Sequence, residues 1–179
     1  MDYYLRLATF EDKLVIKKLI EDSARALSQQ DYSLEQIEIA IKYIYGVDSD
    51  LITDQTYFVA IDSQTQQIIG SGGWSKRKTL FGGDQYTNRQ TEFLDPSRDA
   101  AKIRAFFIHP NHARKGIAKA ILLKCEEEAK LNGFNTLELL STLPGLKLYS
   151  TLGFQPTGKV AYEFEGITVD FVPMTKQLN

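Results

Sequence analysis

The stretch from residue 106 to residue 130 orders its charges against its own secondary structure. Residues 116–132 have helical apolar spacing, with Ala118, Leu122, Cys125 and Ala129 on one face, Ile121 beside them and Gly133 as a stop. A helix dipole favours acids in the first turn and bases in the last. Here Arg114 and Lys115 precede the helix, Lys119 sits in its first turn, and Glu126, Glu127 and Glu128 fall in its second half. Such a start repels itself unless an anion occupies it, and Gly116 lets one approach the backbone N–H groups of Ile117 and Ala118 closely. A phosphate or pyrophosphate suits the position; solvated loop cations with no ligand are the other reading. The spacing matches neither the Gly-x-x-x-x-Gly-Lys-Ser/Thr phosphate loop nor the Gly-x-Gly-x-x-Gly dinucleotide turn.

Few other residues invite chemistry. Cys125 is the only cysteine, which excludes an internal disulfide and a cysteine-based zinc site, and no metal site is expected. Its place on the apolar face makes it core rather than a nucleophile. Arg104 interrupts an apolar strand and calls for a carboxylate partner, structural or substrate. Trp74, at a strand end, lines either a pocket or the core.

The elements that position these residues alternate. Residues 3–7 read as a strand. Thr9 with Asp12, and Ser33 with Gln36, are capping boxes that open two helices. Leu14, Ile16, Leu19, Ile20 and Ala24 mark the apolar face of the first; Ile37, Ala40, Ile41 and Ile44 mark the second, with Gly46 as its stop. Residues 56–61 and 68–74 form a hairpin. Residues 75–100 have little periodicity and are expected to be functional or mobile. The strand at 103–108 looks buried on both faces apart from Arg104 and stops at His109-Pro110. After the helix at 116–132 come a strand at 136–141, a short helix at 145–152, and closing strands at 155–163 and 167–174. The fold class is α/β, with one domain over residues 1–179.

Composition narrows the function. Hydrophobic residues make up 43% and charged residues 25% of the 179, which suits a folded domain and not a disordered chain. The net charge of −2 and a pI near 5.7 argue against nucleic-acid binding. The longest run without Lys, Arg, Asp or Glu is 63–75, too short and polar to span a membrane. The first residues lack a basic and then an apolar export segment, so the cytoplasm is the expected location.

Phe107-Ile108-His109-Pro110-Asn111-His112-Ala113-Arg114-Lys115-Gly116-Ile117-Ala118, after an apolar strand and before a long helix, closely resembles the acetyl-CoA-binding signature of the GNAT superfamily of N-acetyltransferases. Leu148-Tyr149-Ser150-Thr151-Leu152-Gly153-Phe154 resembles that superfamily's second signature, a Tyr just before Gly-Phe, and the order of elements fits from Tyr3 to Met174. Two positions depart from the pattern: Ala113 stands where Arg or Gln is usual, and Thr142 where many members carry Asn.

The resemblance implies a mixed, mostly antiparallel sheet whose central strands splay apart, flanked by helices. It also implies acetyl-CoA as co-substrate. Phe106, Phe107 and Ile108 would contribute backbone to its pantetheine arm, while Arg114, Lys115, Gly116, Ile117, Ala118 and Lys119 would hold its pyrophosphate and Thr142 would add a hydroxyl. Tyr149 is the implied acid that protonates the leaving thiolate; a packed aromatic is the alternative. The base stays open among Asp84, Glu92, Asp95, Asp99 and His109. The expected acceptor is a small-molecule amine, with residues 75–100 either walling its site or merely covering a sheet edge. A non-catalytic acyl-CoA sensor and an acetyltransferase of protein termini or lysines are the competing readings. No nucleic-acid or membrane partner is expected, and a homodimer is compatible.

Overall fold

The computed structural model describes residues 2–178. β1 (Tyr3–Leu7) leads through a short 3-10 turn into α1 (Lys13–Leu27). Both hydroxyl boxes form. Asp12 accepts from the Thr9 backbone N–H at 2.8 Å, and Arg6 grips the same carboxylate at 2.8 and 2.9 Å. That Arg6 hydrogen bond, aided by the Thr9 N–H, holds the Asp12 carboxyl below its usual range. Ser33 accepts from the Gln36 N–H and opens α2 (Leu34–Tyr43). Along α1 the residues Ile16, Leu19, Ile20 and Ala24 are buried as the spacing demands, whereas Leu14 is 81% exposed. α2 ends at Tyr43, so Ile44 is its cap rather than part of it.

A third helix, α3 (Ser49–Thr53), was not expected; Asp48 caps it by accepting from the Asp50 N–H at 3.0 Å. The remaining elements are β2 (Tyr57–Asp62), β3 (Ile68–Ser75), β4 (Ala101–Ile108), α4 (Ile117–Leu131), β5 (Thr136–Ser141), α5 (Leu146–Thr151), β6 (Gln155–Pro156), β7 (Val160–Phe164) and β8 (Ile167–Gln177). The expected strand at 155–163 is thus two short strands, both paired with β8.

The sheet runs β1-β2-β3-β4-β5-β8-β6, and every pairing is antiparallel except β4 with β5. Helices cover both faces. Tyr57, Val59 and Ile61 of β2 point to the side packed by α1 and α2, with Ile16, Ile20, Ile37 and Phe171. Phe58 and Ala60 point to the α4 and α5 side, with Trp74, Ile121, Leu122, Phe134 and Phe154. This two-sided burial explains the continuous apolar run of β2. Trp74, only 1% exposed and edge-on to Phe134, is core and not pocket wall. Cys125 is fully buried, and burial pushes its thiol well up, which removes it as a nucleophile.

Residues 75–100 fold back as an irregular hairpin. The Lys78 N–H donates to Glu92, that of Thr79 to Gln90, and that of Leu94 to Lys76, at 2.8–2.9 Å. Three arginines tie the segment down. Arg77 binds Asp54 at 2.6 Å; Arg89 reaches Asp48 at 2.6 Å and Asp50 at 2.8 Å. Arg104, 4% exposed in β4, binds Asp48 at 2.7 Å and donates to the carbonyls of Thr79 and Gly82. The buried strand arginine is therefore a structural partner of Asp48.

Removing one member of a buried ion pair strands the other without its counter-charge, at about 3–5 kcal/mol. Asp48→Asn is accordingly expected to lower unfolding free energy in urea by about 3 kcal/mol or more, and a loss under about 1 kcal/mol would show that this network does not hold the hairpin.

Candidate active site

The site grows from a place where sheet pairing stops. β4 and β5 run parallel and pair only through Ala101 with Leu137 and Lys102 with Glu138. Beyond that, β4 continues against β3 alone and β5 against β8 alone. The edge of β4 that faces β5 therefore presents peptide groups without a strand partner from residue 103 onward. This corrects the expectation of a strand buried on both faces: Ala101–Arg104 are buried, but residues 105–108 are only half-buried.

A bulge turns the strand here. Ser71 pairs with Phe107 and Gly73 with Arg104, so Gly72 faces both Ala105 and Phe106. Ala105 takes the left-handed φ of 57°, which costs an L-residue about 1–2 kcal/mol. A Cβ on Gly72 would sit 2.8 Å from the Phe106 ring, so the glycine is what lets that ring close over β3.

β4 runs out at Ile108 into a 3-10 turn (Pro110–His112) and then α4. Arg114 (φ 63°) and Gly116 (φ 81°) are both left-handed, a backbone form that turns N–H groups toward a common point. Nothing lies within 4 Å of where a Gly116 Cβ would stand. Among the described residues, the N–H groups of Ile117, Ala118 and Lys119 have no acceptor, and Arg114, Lys115 and Lys119 enter no ion pair. Lys115 donates only to the carbonyl of Asn111, at 2.8 Å. At the other end of the helix the charges are answered: Glu126 by Lys176 at 2.6 Å, Glu127 and Glu128 by Lys124 at 2.9 and 3.0 Å. The positive start lacks a counter-charge among the described residues, and its donors fit a pyrophosphate.

At the inner end of the gap, Phe106, Phe107, Thr142 and Tyr149 line one cavity. Tyr149 projects from α5, with its ring edge-on to Phe106 at 6.3 Å and to Phe154 at 5.8 Å. Burial pushes its phenol above the usual value of 10, so the hydroxyl keeps its proton. Its hydroxyl makes no hydrogen bond to the protein among the described residues and is not one of the buried unpaired atoms, so it is open to solvent or a ligand. Ile108 and residues 114–119 lie outside this cavity, at the outer end of the same gap.

The carboxylates and the histidine left open as bases lie elsewhere. Asp84 accepts from Ser49 and Lys13; Asp95 accepts from Ser97, and Asp99 from the Asp95 N–H; His109 accepts from the Asn111 N–H at 3.2 Å. Glu92 engages Lys78 through its carbonyl. None lines the cavity. Of the other residues that do, 80–83 belong to the segment expected near an acceptor, Ile44 and Gly46 were read only as helix face and helix stop, and Tyr45 and Phe171 were not singled out from sequence. The glycines at 46, 82 and 83 were the one available signal, since clustered glycines mark close approach.

An N-acetyltransferase of Rhodopseudomonas palustris superposes with a TM-score of 0.73 at 17% identity, covering 99% of this chain and 97% of that one. The PaiA N-acetyltransferase of Thermoplasma acidophilum, solved with coenzyme A, gives 0.66 at 17% identity, with 99% of each chain covered. A phosphinothricin acetyltransferase of Sinorhizobium meliloti, solved with acetyl-CoA, gives 0.65 at 20% identity, with 100% of this chain and 90% of that one covered. At such identities these likenesses establish the fold. No curated protein matches the chain in sequence. The family model described as an acetyltransferase (GNAT) domain matches residues 28–178, which is most of the chain and includes both the splayed strands and the α4 start. The chain belongs to the GNAT family of acetyltransferases.

Proposed function

We propose that this acetyltransferase moves an acetyl group from acetyl-CoA to the amine of a small molecule. The observation that carries the reading is the continuity of the unpaired β4 edge, with cations and N–H groups that have no partner among the described residues at its outer end and a tyrosine hydroxyl without a protein partner among them at its inner end. The complexes of similar fold with coenzyme A and acetyl-CoA support the choice of donor.

In this reading Arg114, Lys115, Lys119 and the N–H groups at 117–119 hold the pyrophosphate, and the backbone of residues 106–108 pairs with the pantetheine arm. Thr142 offers a hydroxyl at the cavity wall. The amine nitrogen attacks the thioester carbonyl, and a β4 N–H stabilises the oxyanion that forms. Tyr149 then donates its proton to the departing sulfur. The apolar walls that raise the phenol raise a thiolate in the same way, so the transfer stays matched. No carboxylate or imidazole lines the cavity among the described residues, and the amine passes its proton to water. Residues 80–83 supply one wall, which favours the hairpin as part of the acceptor site over a cover for a sheet edge.

Two measurements test the assignment. Gly116→Asp introduces a negative charge where the phosphates sit; its Cβ meets no neighbour, although the left-handed φ of 81° strains any side chain there, and acetyl-CoA affinity by calorimetry should fall by at least about 2 kcal/mol in the folded variant. Unchanged affinity in the folded variant would move the anion elsewhere. Tyr149→Phe keeps the packing and should retain acetyl-CoA binding while thiol release at saturating amine drops roughly 10²-fold. Wild-type turnover would take Tyr149 out of the reaction.

A further inference from the structure

Among the described residues, three buried side-chain polar atoms have no hydrogen-bond partner: Tyr45 Oη, Trp74 Nε1 and His112 Nδ1. A buried hydroxyl left unpaired works against folding, so each such atom calls for an explanation. Of the three residues, Tyr45 lines the cavity that Phe106, Thr142 and Tyr149 also line. Neighbouring Tyr32 shows the ordinary solution, donating to the Asp170 carbonyl at 2.6 Å and accepting from the Leu143 N–H at 3.0 Å. Tyr45 has no equivalent, although its ring is fixed edge-on to Phe107 at 5.5 Å and to Phe171 at 6.5 Å.

Apart from Thr142, Tyr149 and the open edge of β4, which the acetyl-CoA reading already uses, the wall is apolar or engaged. Ile44, Leu80, Phe81 and Leu140 are hydrocarbon, and Arg104, the one charged residue in the lining, is committed to Asp48 and two carbonyls. A second, outer groove between α1, α2 and the hairpin also borders on Tyr45 and Gly46. Tyr45 is thus shared by the outer groove and the cavity that Tyr149 lines.

We propose that the Tyr45 hydroxyl is the acceptor-binding group of this enzyme, taking a hydrogen bond from the N–H of a neutral primary amine whose body is an apolar or aromatic group. Accepting an N–H leaves the nitrogen lone pair free to attack. The cavity wall holds no carboxylate to pair with a second cationic centre, and Glu21 and Asp84 line only the outer groove, so a diamine held within the cavity is a poor acceptor. This inference rests on the acetyl-transfer reading above, and its test separates the two.

The test compares wild type with Tyr45→Phe, using 2-phenylethylamine and putrescine as probes. Thermal midpoint, calorimetric affinity for acetyl-CoA and for 2-phenylethylamine, and thiol release are measured together. Wild type is expected to use 2-phenylethylamine with kcat/KM at least tenfold above that for putrescine. Tyr45→Phe should keep or raise the thermal midpoint, because it deletes an unsatisfied hydroxyl, and should keep acetyl-CoA affinity within twofold. Affinity for 2-phenylethylamine should fall and its KM rise at least tenfold, with a smaller loss in kcat. An unchanged KM, a clearly lowered midpoint, or a preference for putrescine would overturn the role of Tyr45 while leaving acetyl transfer standing. Acetyl-CoA binding by wild type with no thiol release from either amine would overturn the transfer reading itself.

Discussion

The pairing of β4 with β5 lasts for two residues on each strand, and the rest of the molecule is arranged around that limit. A parallel pair inside a sheet would normally continue, since each unpaired peptide group buried without a partner is unfavourable. Here both strands are held from their outer sides, β4 by β3 and β5 by β8. The bulge at Ala105 and the half-exposed stretch that follows turn β4 away from its neighbour. The result is a strand edge inside a core, able to bind an extended chain as a missing strand would.

Holding the gap open requires rigid walls. The Asp48 carboxylate gathers Arg104 from β4 and Arg89 from the hairpin, and Arg104 also grips the carbonyls of Thr79 and Gly82. One buried carboxylate thus fixes the strand, the cap of α3 and the residues that wall the cavity. Buried ion pairs of this kind contribute less to net stability than to geometry, and geometry is what the site needs. At the far end the start of α4 keeps three cations with no ion-pair partner among the described residues, a local disadvantage that an anionic ligand removes.

Much of this was legible in the residues, for physical reasons that differ by element. The capping boxes at Thr9 and Ser33 and the long apolar stripe of α4 are local signals, and local signals survive folding. The inverted charges of α4 were legible because a dipole does not depend on context. Leu14 misled because helical spacing fixes a stripe without fixing its width, and this leucine lies at the solvent side. α3 was missed because five residues are too short to show a period. The half-exposure of residues 105–108 was invisible because an apolar run does not reveal that the neighbouring strand diverges; the splay came from the family resemblance alone. Tyr45 gave no signal, since a single aromatic after a helix is ordinary until its hydroxyl proves to have no partner.

Hydrogen exchange on the backbone tests the central claim, that the open β4 edge and the start of α4 together receive one extended ligand. Saturating acetyl-CoA is expected to slow exchange at the amides of residues 105–108 that face the open edge and at 117–119 together, while amides already paired between β4 and β3 or between β5 and β8 stay as they were. Protection confined to other segments, or to the α4 start with the β4 edge unaffected, would contradict the account.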